Sequence, residues 1–359
     1  MKITRKMYLG FMFVLLVGIL YGCTENGNAA KGDEDSKKVF ELELNNWASS
    51  THHLAYNVYE PWKKIVEEKT EGRVKVNISH GAALGAATTV YQDVKGGLYD
   101  VGMVVTTYSN DTELFPYTIG NLPFAFEGSK EAAKVLEKFG EKYVNKEVKD
   151  FVIMGGPTAT DPYSLFSAKP INSYKDLEKM KIRVSSKNEV DFIKELGAVP
   201  VNLPVAETYE ALQKHTVDSA LYTFIGSVGM KFFEPGPHIL VLNSSVTPTV
   251  QVMNKDFFDS LPEDLQKLFE EELNPKLSEL VKHTYETEYE AAYESLEKDV
   301  SKRGEITIPS EKDMKKYKEA GKVAWDAWIE EANKKGYPGE EMVKDFTSML
   351  EEEGYPVPY

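Results

Sequence analysis

Between Asp176 and Asp218 the chain changes its apolar period several times in quick succession, and no other stretch constrains the fold as strongly. Lys181-Ile182-Arg183-Val184 has the spacing of a short strand, a helix follows and ends at Leu196-Gly197-Ala198, and Pro204 breaks the crossover. Glu207 to Gln213 then reads as a second helix and Val217-Asp218 as the start of another strand. Strands and helices alternating at this pace predict an α/β sheet with parallel strands. That sheet carries a guanidinium on a rigid element. Arginine is permanently charged and its planar fork of donors matches a carboxylate two for two, so Arg183 suits an organic acid; taken alone it also fits a surface or salt-bridged arginine.

The rest of the chain extends the pattern. Phe40, Leu42 and Leu44 alternate as a strand, Leu54, Val58, Trp62, Ile65 and Val66 recur at helical spacing, and Val74, Val76 and Ile78 alternate again. Pro61 falls inside that helix and is expected to kink or split it. Asp100–Val105 and Phe151–Met154 read as buried parallel strands. From about Leu261 the period stays helical through Leu296, as one long helix or as two end to end with a bend at Pro275. Met314, Tyr317, Val323 and Trp328 mark a further helix packed on the core. A chain of 359 residues is long for one average domain and suits two lobes sharing a cleft.

The N-terminus addresses location. Lys2, Arg5 and Lys6 precede an apolar run from about Met7 to Leu20, shorter than the roughly 20 residues a membrane span needs, and Leu20-Tyr21-Gly22-Cys23 closes it. Residues 1–22 are therefore expected to be a lipoprotein signal peptide, with Cys23 lipidated after cleavage. Residues 23–38 are polar and almost free of large apolar side chains, as in a disordered tether. Cys23 is the only cysteine, so no intramolecular disulfide forms and stability comes from packing.

Charge narrows the partners. The formal net charge is −15, and the basic N-terminal segment leaves the remainder more acidic still, which argues against nucleic acid and against electrostatic docking on anionic lipid. An anionic ligand then needs a local positive centre. No second long apolar run follows Cys23, so the only membrane attachment expected is the lipid anchor.

The motifs around Arg183, together with Thr70-Glu71-Gly72-Arg73-Val74, Leu84-Gly85, Lys95-Gly96-Gly97 before Asp100, Phe115-Pro116, Leu122-Pro123-Phe124 and Leu261-Pro262-Glu263-Asp264-Leu265-Gln266, stand in an order that resembles the solute-binding subunits of TRAP transporters, the dicarboxylate-type (DctP-like) family. The resemblance covers nearly the whole chain after the signal. It implies an α/β, two-lobed periplasmic-binding-protein-like fold with a hinge and a long helix spanning both lobes. Lobe I is expected at 39–160 plus about 249–288, and lobe II at 161–248 plus about 289–359.

The resemblance also implies a site. Arg183 matches the family's principal carboxylate-binding arginine. Tyr163 falls where many relatives have a second arginine, and Tyr222 where many have asparagine. Trp47 replaces a small or amide residue and is followed by Ser49, Ser50, Thr51, His52 and His53, a turn expected to cap the next helix or to bind an anion through free backbone donors. Thr106, with Thr107 and Tyr108 after it, is expected to face the cleft. Adjacent histidines lacking a carboxylate or cysteine at ligand spacing are poor evidence for metal, and no metal or other cofactor is expected. One strong cation among aromatic walls favours a bulky organic acid or monocarboxylate over a small dicarboxylate or a sialic acid.

The expected function is thus an extracytoplasmic lipoprotein that captures an organic acid by cleft closure and delivers it to the small and large membrane subunits of a TRAP permease. The alternatives are an ABC-type or sensor-associated binding protein and, less favoured, a secreted hydrolase. Against an enzyme stands the lack of a phosphate-cradling glycine loop, a Gly-x-Ser-x-Gly elbow or a His-Glu-x-x-His site.

Overall fold

The computed structural model describes residues 38–358; the expected signal peptide, Cys23 and all but the last residue of the tether lie outside the described residues. In chain order the strands are β1 (Phe40–Asn46), β2 (Val74–His80), β3 (Val101–Val105), β4 (Phe151–Ala159), β5 (Tyr163–Ser167), β6 (Lys181–Val184), β7 (Val199–Asn202), β8 (Ser219–Thr223), β9 (His238–Leu240), β10 (Pro248–Asn254) and β11 (Glu305–Thr307). They form two sheets, β2-β1-β3-β10-β4 and β11-β9-β5-β8-β6-β7. The architecture is two-lobed and mixed α/β.

The alternation seen in the sequence sets the first sheet. Phe40, Leu42 and Leu44 of β1 are buried while Glu41 is exposed, and β1 runs parallel to β2 with Phe40 opposite Val74. β10 enters antiparallel between β3 and β4, although the chain has meanwhile built most of the second sheet. Two segments therefore cross between the sheets, residues 160–162 outward and 241–247 back. They are bonded to each other: the Thr160 amide donates to the Thr247 carbonyl at 3.1 Å, the Thr247 amide to Thr160 Oγ1 at 3.0 Å, and the Tyr163 amide to the Ser245 carbonyl at 2.7 Å.

Both helical prolines are absorbed in the same way. Proline has no amide hydrogen and its ring crowds the carbonyl of the preceding turn. A wider π turn lies ahead of each, Leu54–Tyr59 before Pro61 and Phe269–Leu273 before Pro275. Neither helix is split there. The two irregular regions also touch, for Trp62 Nε1 donates to the Leu273 carbonyl at 2.8 Å.

The long helical run proceeds from Glu263 through Asn274–Thr287 to Tyr289–Val300 and joins the lobes. Its first half lies against β4, where Gly155 (φ +74°) leaves no room for a side chain: a Cβ would stand 2.7 Å from the Asn274 carbonyl oxygen. Its second half packs Tyr289 and Tyr293 on Phe224 of the second lobe, ring centroids 5.4 and 5.7 Å apart. The C-terminal helices, expected with lobe II, touch both lobes, helix Glu311–Lys334 packing along helix Lys187–Glu195 of the second. Trp328 stacks on Phe115 at 5.4 Å and donates to Thr118 Oγ1 at 2.8 Å, and Phe346 meets Phe126 and Phe139, all on the side of the first sheet. Helix Glu311–Lys334 meets the second lobe through Tyr317, beside Tyr174, and through Glu331, paired with Lys187.

Candidate ligand-binding site

β6 lies between β8 and β7 and runs parallel to both, with Arg183 opposite Ala220 and Val201. A strand in such a place is covered on both faces, and Arg183 is accordingly 0% exposed. Its Nε donates to the Leu203 carbonyl at 3.0 Å and its Nη1 to the Leu221 carbonyl at 3.1 Å, which fix the plane of the fork. Nη2 reaches the Tyr108 hydroxyl at 3.4 Å, and the guanidinium carbon lies 6.0 Å from the Tyr222 ring centroid. Among the described residues no carboxylate oxygen lies within 4.0 Å of it.

The buried acid that feels the charge of Arg183 is engaged elsewhere. Glu189 accepts from the Ser185 amide at 2.6 Å and its hydroxyl at 3.0 Å, and from Asn121 Nδ2 at 3.4 Å. Burial raises its pKa, and the hydrogen bonds from Ser185 and the charge of Arg183 oppose that only in part. Arg183 is thus a buried cation held by neutral oxygens, an arrangement that is costly without an anion.

Arg183 opens on a narrow, largely enclosed cavity between the sheets. The structure brings Trp47, His52, Tyr163, Tyr222 and Arg183 together around it. Tyr163 and Tyr222 face each other at 5.8 Å, and burial pushes both phenols above their ordinary pKa. Trp47 and His52 come from the first sheet's side, 5.9 Å apart ring to ring. Burial pushes the pKa of His52 down to about 3, so the ring is neutral at ordinary pH.

Thr106 is not at the cavity. It begins a three-residue 3₁₀ turn that rotates its hydroxyl onto the Pro248 carbonyl at 3.0 Å, and Tyr108 two residues on meets Arg183 in its place. The hydroxyl-rich turn differs from expectation as well: Ser49 and Thr51 bond each other at 2.9 Å, and no side chain caps the helical turn that follows. The sequence assigned no ligand role to His53, Thr223 or Tyr285, which also line the cavity. Tyr285 belongs to the long helix and sets its edge against His53 at 5.1 Å. No cluster of three or more His, Cys, Asp or Glu suited to a metal exists among the described residues.

The family model for bacterial extracellular solute-binding proteins, family 7 (DctP), matches residues 45–332. The chain belongs to this family. Its members are extracytoplasmic solute-binding proteins of TRAP transporters and not enzymes. Among curated relatives, the 2,3-diketo-L-gulonate-binding periplasmic protein YiaO of Escherichia coli is 26% identical over 61% of this chain and 66% of its own. A match to an uncharacterised Haemophilus influenzae protein, also at 26%, spans 65% of that protein. The C4-dicarboxylate-binding periplasmic protein DctP of Shewanella loihica is 23% identical over 79% of this chain and 86% of its own.

Solved structures share the two-lobed fold. A TRAP solute-binding protein from a marine metagenome, specific for aromatic acid ligands and crystallised with 3-hydroxybenzoate, has a TM-score of 0.80 at 22% identity and covers 88% of this chain and 99% of its own. A TRAP periplasmic solute-binding protein from Desulfovibrio salexigens has a TM-score of 0.72 at 26% identity, covering 89% and 98%. One from Rhodoferax ferrireducens with copurified benzoate has a TM-score of 0.79 at 19% identity, covering 88% and 99%.

Proposed function

We propose that this solute-binding protein captures a ring-bearing monocarboxylate between its lobes and hands it to the two membrane subunits of a TRAP permease. The observation that carries this is Arg183, fully buried and without a carboxylate partner among the described residues. A ligand carboxylate would supply the missing charge in the bidentate geometry a guanidinium favours. The walls set the body of the ligand. Trp47, Tyr163 and Tyr222 offer flat apolar faces, and no second cation lines the cavity among the described residues, so a second carboxylate would be buried unpaired. The benzoate and 3-hydroxybenzoate held by two structural neighbours agree with this choice.

Closure follows from where the contacts come from. Arg183, Tyr163 and Tyr222 sit on the second sheet and Trp47 and His52 on the first sheet's side, so a ligand that touches both sets favours the state in which the lobes approach. The crossing segments at 160–162 and 241–247 are the hinge in this scheme. Attachment would be through Cys23, lipidated after removal of residues 1–22; two acyl chains hold a protein at a membrane where one does not.

A thermal-shift screen of organic acids tests the ligand class. Benzoate-like and phenylacetate-like acids are expected to raise the melting temperature, since only the folded state binds them. Stabilisation by succinate or malate in preference to every aromatic acid would overturn the choice.

A further inference from the structure

The cavity holds one cation from the second sheet and, from the first sheet's side, several hydrogen-bond donors that have nothing to donate to. The Leu54 amide donates to His52 Nδ1 at 3.3 Å, so Nδ1 is the acceptor nitrogen and the neutral ring carries its hydrogen on Nε2. That Nε2 is buried and has no hydrogen-bond partner among the described residues. Trp47 Nε1, which can only donate, is in the same condition. His53 lies against His52 with ring centroids 4.0 Å apart and planes tilted by 34°, and neither of its nitrogens has a partner among the described residues. Buried polar groups are ordinarily satisfied, and three unpaired side chains on one wall of one cavity point to a ligand group that satisfies them.

The charge of that group follows from its surroundings. Of the described side chains lining the cavity only Arg183 is cationic, and the buried imidazoles resist protonation. A second carboxylate placed here would face neutral donors in a buried space, while a hydroxyl or carbonyl oxygen would accept the same hydrogen bonds without burying a charge. Recognition at this point presupposes that Arg183 holds the carboxylate, as proposed above.

We propose that His52 Nε2–H and Trp47 Nε1–H form a second recognition point that receives a neutral oxygen acceptor at the far end of the ligand, so that the protein selects oxygenated ring-bearing monocarboxylic acids over plain aromatic acids and over dicarboxylates. A site built to hydrogen-bond a ligand oxygen discriminates strongly against the analogue lacking it, because its own buried donors are then left bare.

The test is calorimetric titration of the full-length protein with two matched series: benzoate, 3-hydroxybenzoate and isophthalate, then phenylacetate, 3-hydroxyphenylacetate and 3-carboxyphenylacetate. In at least one series the hydroxy acid is expected to bind at least about tenfold tighter than both companions. In His52→Phe the ratio of hydroxy acid to parent acid should fall below about threefold, and Trp47→Phe should lower it in the same direction. Equal affinities for parent and hydroxy acids in the wild type, which needs no variant to fold, would mean that water serves these donors and would overturn the proposal. So would tightest binding of a dicarboxylate, or an unchanged ratio in His52→Phe. Binding of the parent acids without any gain from the hydroxyl refutes the second recognition point alone; no binding by any member refutes the carboxylate reading as well.

Discussion

Arg183 and Tyr108 meet across the cleft, with Nη2 3.4 Å from the phenolic oxygen, one residue on a central strand of the second sheet and the other on the turn that follows β3 of the first. Their contact is the direct polar link between the arginine and the opposite lobe. It orients a fork whose Nε and Nη1 already face backbone carbonyls.

Tyr108→Phe removes that link and keeps the ring. A hydrogen bond to a charged group contributes about 1.5–3 kcal/mol net, and at 3.4 Å this one belongs at the weak end, so carboxylate affinity should weaken by roughly tenfold with little change in stability. Titration calorimetry reads the first and chemical denaturation the second. A loss beyond a hundredfold would mean that Tyr108 contacts the ligand directly.

Asp161 lies in the outward crossing segment, fully buried, with Oδ2 accepting from the Ile225 amide at 3.2 Å and burial pushing its pKa up to about 7 from 3.8. A folded-state pKa above the unfolded value means that the native state binds the extra proton. Its contribution to stability is therefore complete below about pH 4 and is lost as pH rises to about 7, on the order of 4 kcal/mol at most for a shift of about three units. Asp161→Asn should then raise stability relative to wild type at pH 8 and show little gain at pH 4. Urea denaturation at both pH values measures the difference, and equal effects at both would refute the titration.

The buried histidines act in the opposite sense. His52 is lowered from 6.5 to about 3, so stability associated with its neutral ring is present above about pH 6.5 and is lost as pH falls toward 3. Wild-type protein should lose stability between pH 6 and pH 4, and His52→Phe should lose less across the same interval. Thermal melts at the two pH values decide it; an identical slope in the variant would place the acid sensitivity elsewhere.

Trp62→Phe leaves the Leu273 carbonyl without its indole donor and opens space beside Phe269, whose ring centroid lies 6.5 Å from that of Trp62. The expected cost is about 2–4 kcal/mol of unfolding free energy, with ligand affinity within twofold of wild type. Denaturant titration with and without ligand separates the two quantities, and a change in affinity larger than the change in stability would tie this contact to the site.

Why some of this was legible in the sequence and some was not is a matter of which forces are local. Arg183 is legible through the order of motifs that resembles the DctP-like family, since the strand alone fits a surface arginine equally well and it is the place of β6 inside the sheet that buries it. The prolines at 61 and 275 announce a disturbance, yet whether the chain kinks, splits or widens into a π turn depends on partners such as Trp62 and Leu273, about 210 residues apart in sequence. Thr106 misleads because the end of an apolar strand does not reveal which way the chain turns next. Tyr285 is silent because a tyrosine on an amphipathic helix looks like any core residue until the helix is laid against His53. The C-terminal helices show the same limit: period gives an apolar face, and only packing tells which lobe it covers.

The most direct measurement of the central claim is the affinity of Arg183→Gln for the aromatic monocarboxylate that most stabilises the wild type, with circular dichroism confirming that the variant is folded. Truncating one partner of a buried charge pair costs about 2–5 kcal/mol, so binding should weaken at least roughly thirtyfold and toward several thousandfold. A folded variant that binds within threefold of wild type would contradict the assignment of Arg183 as the carboxylate's anchor.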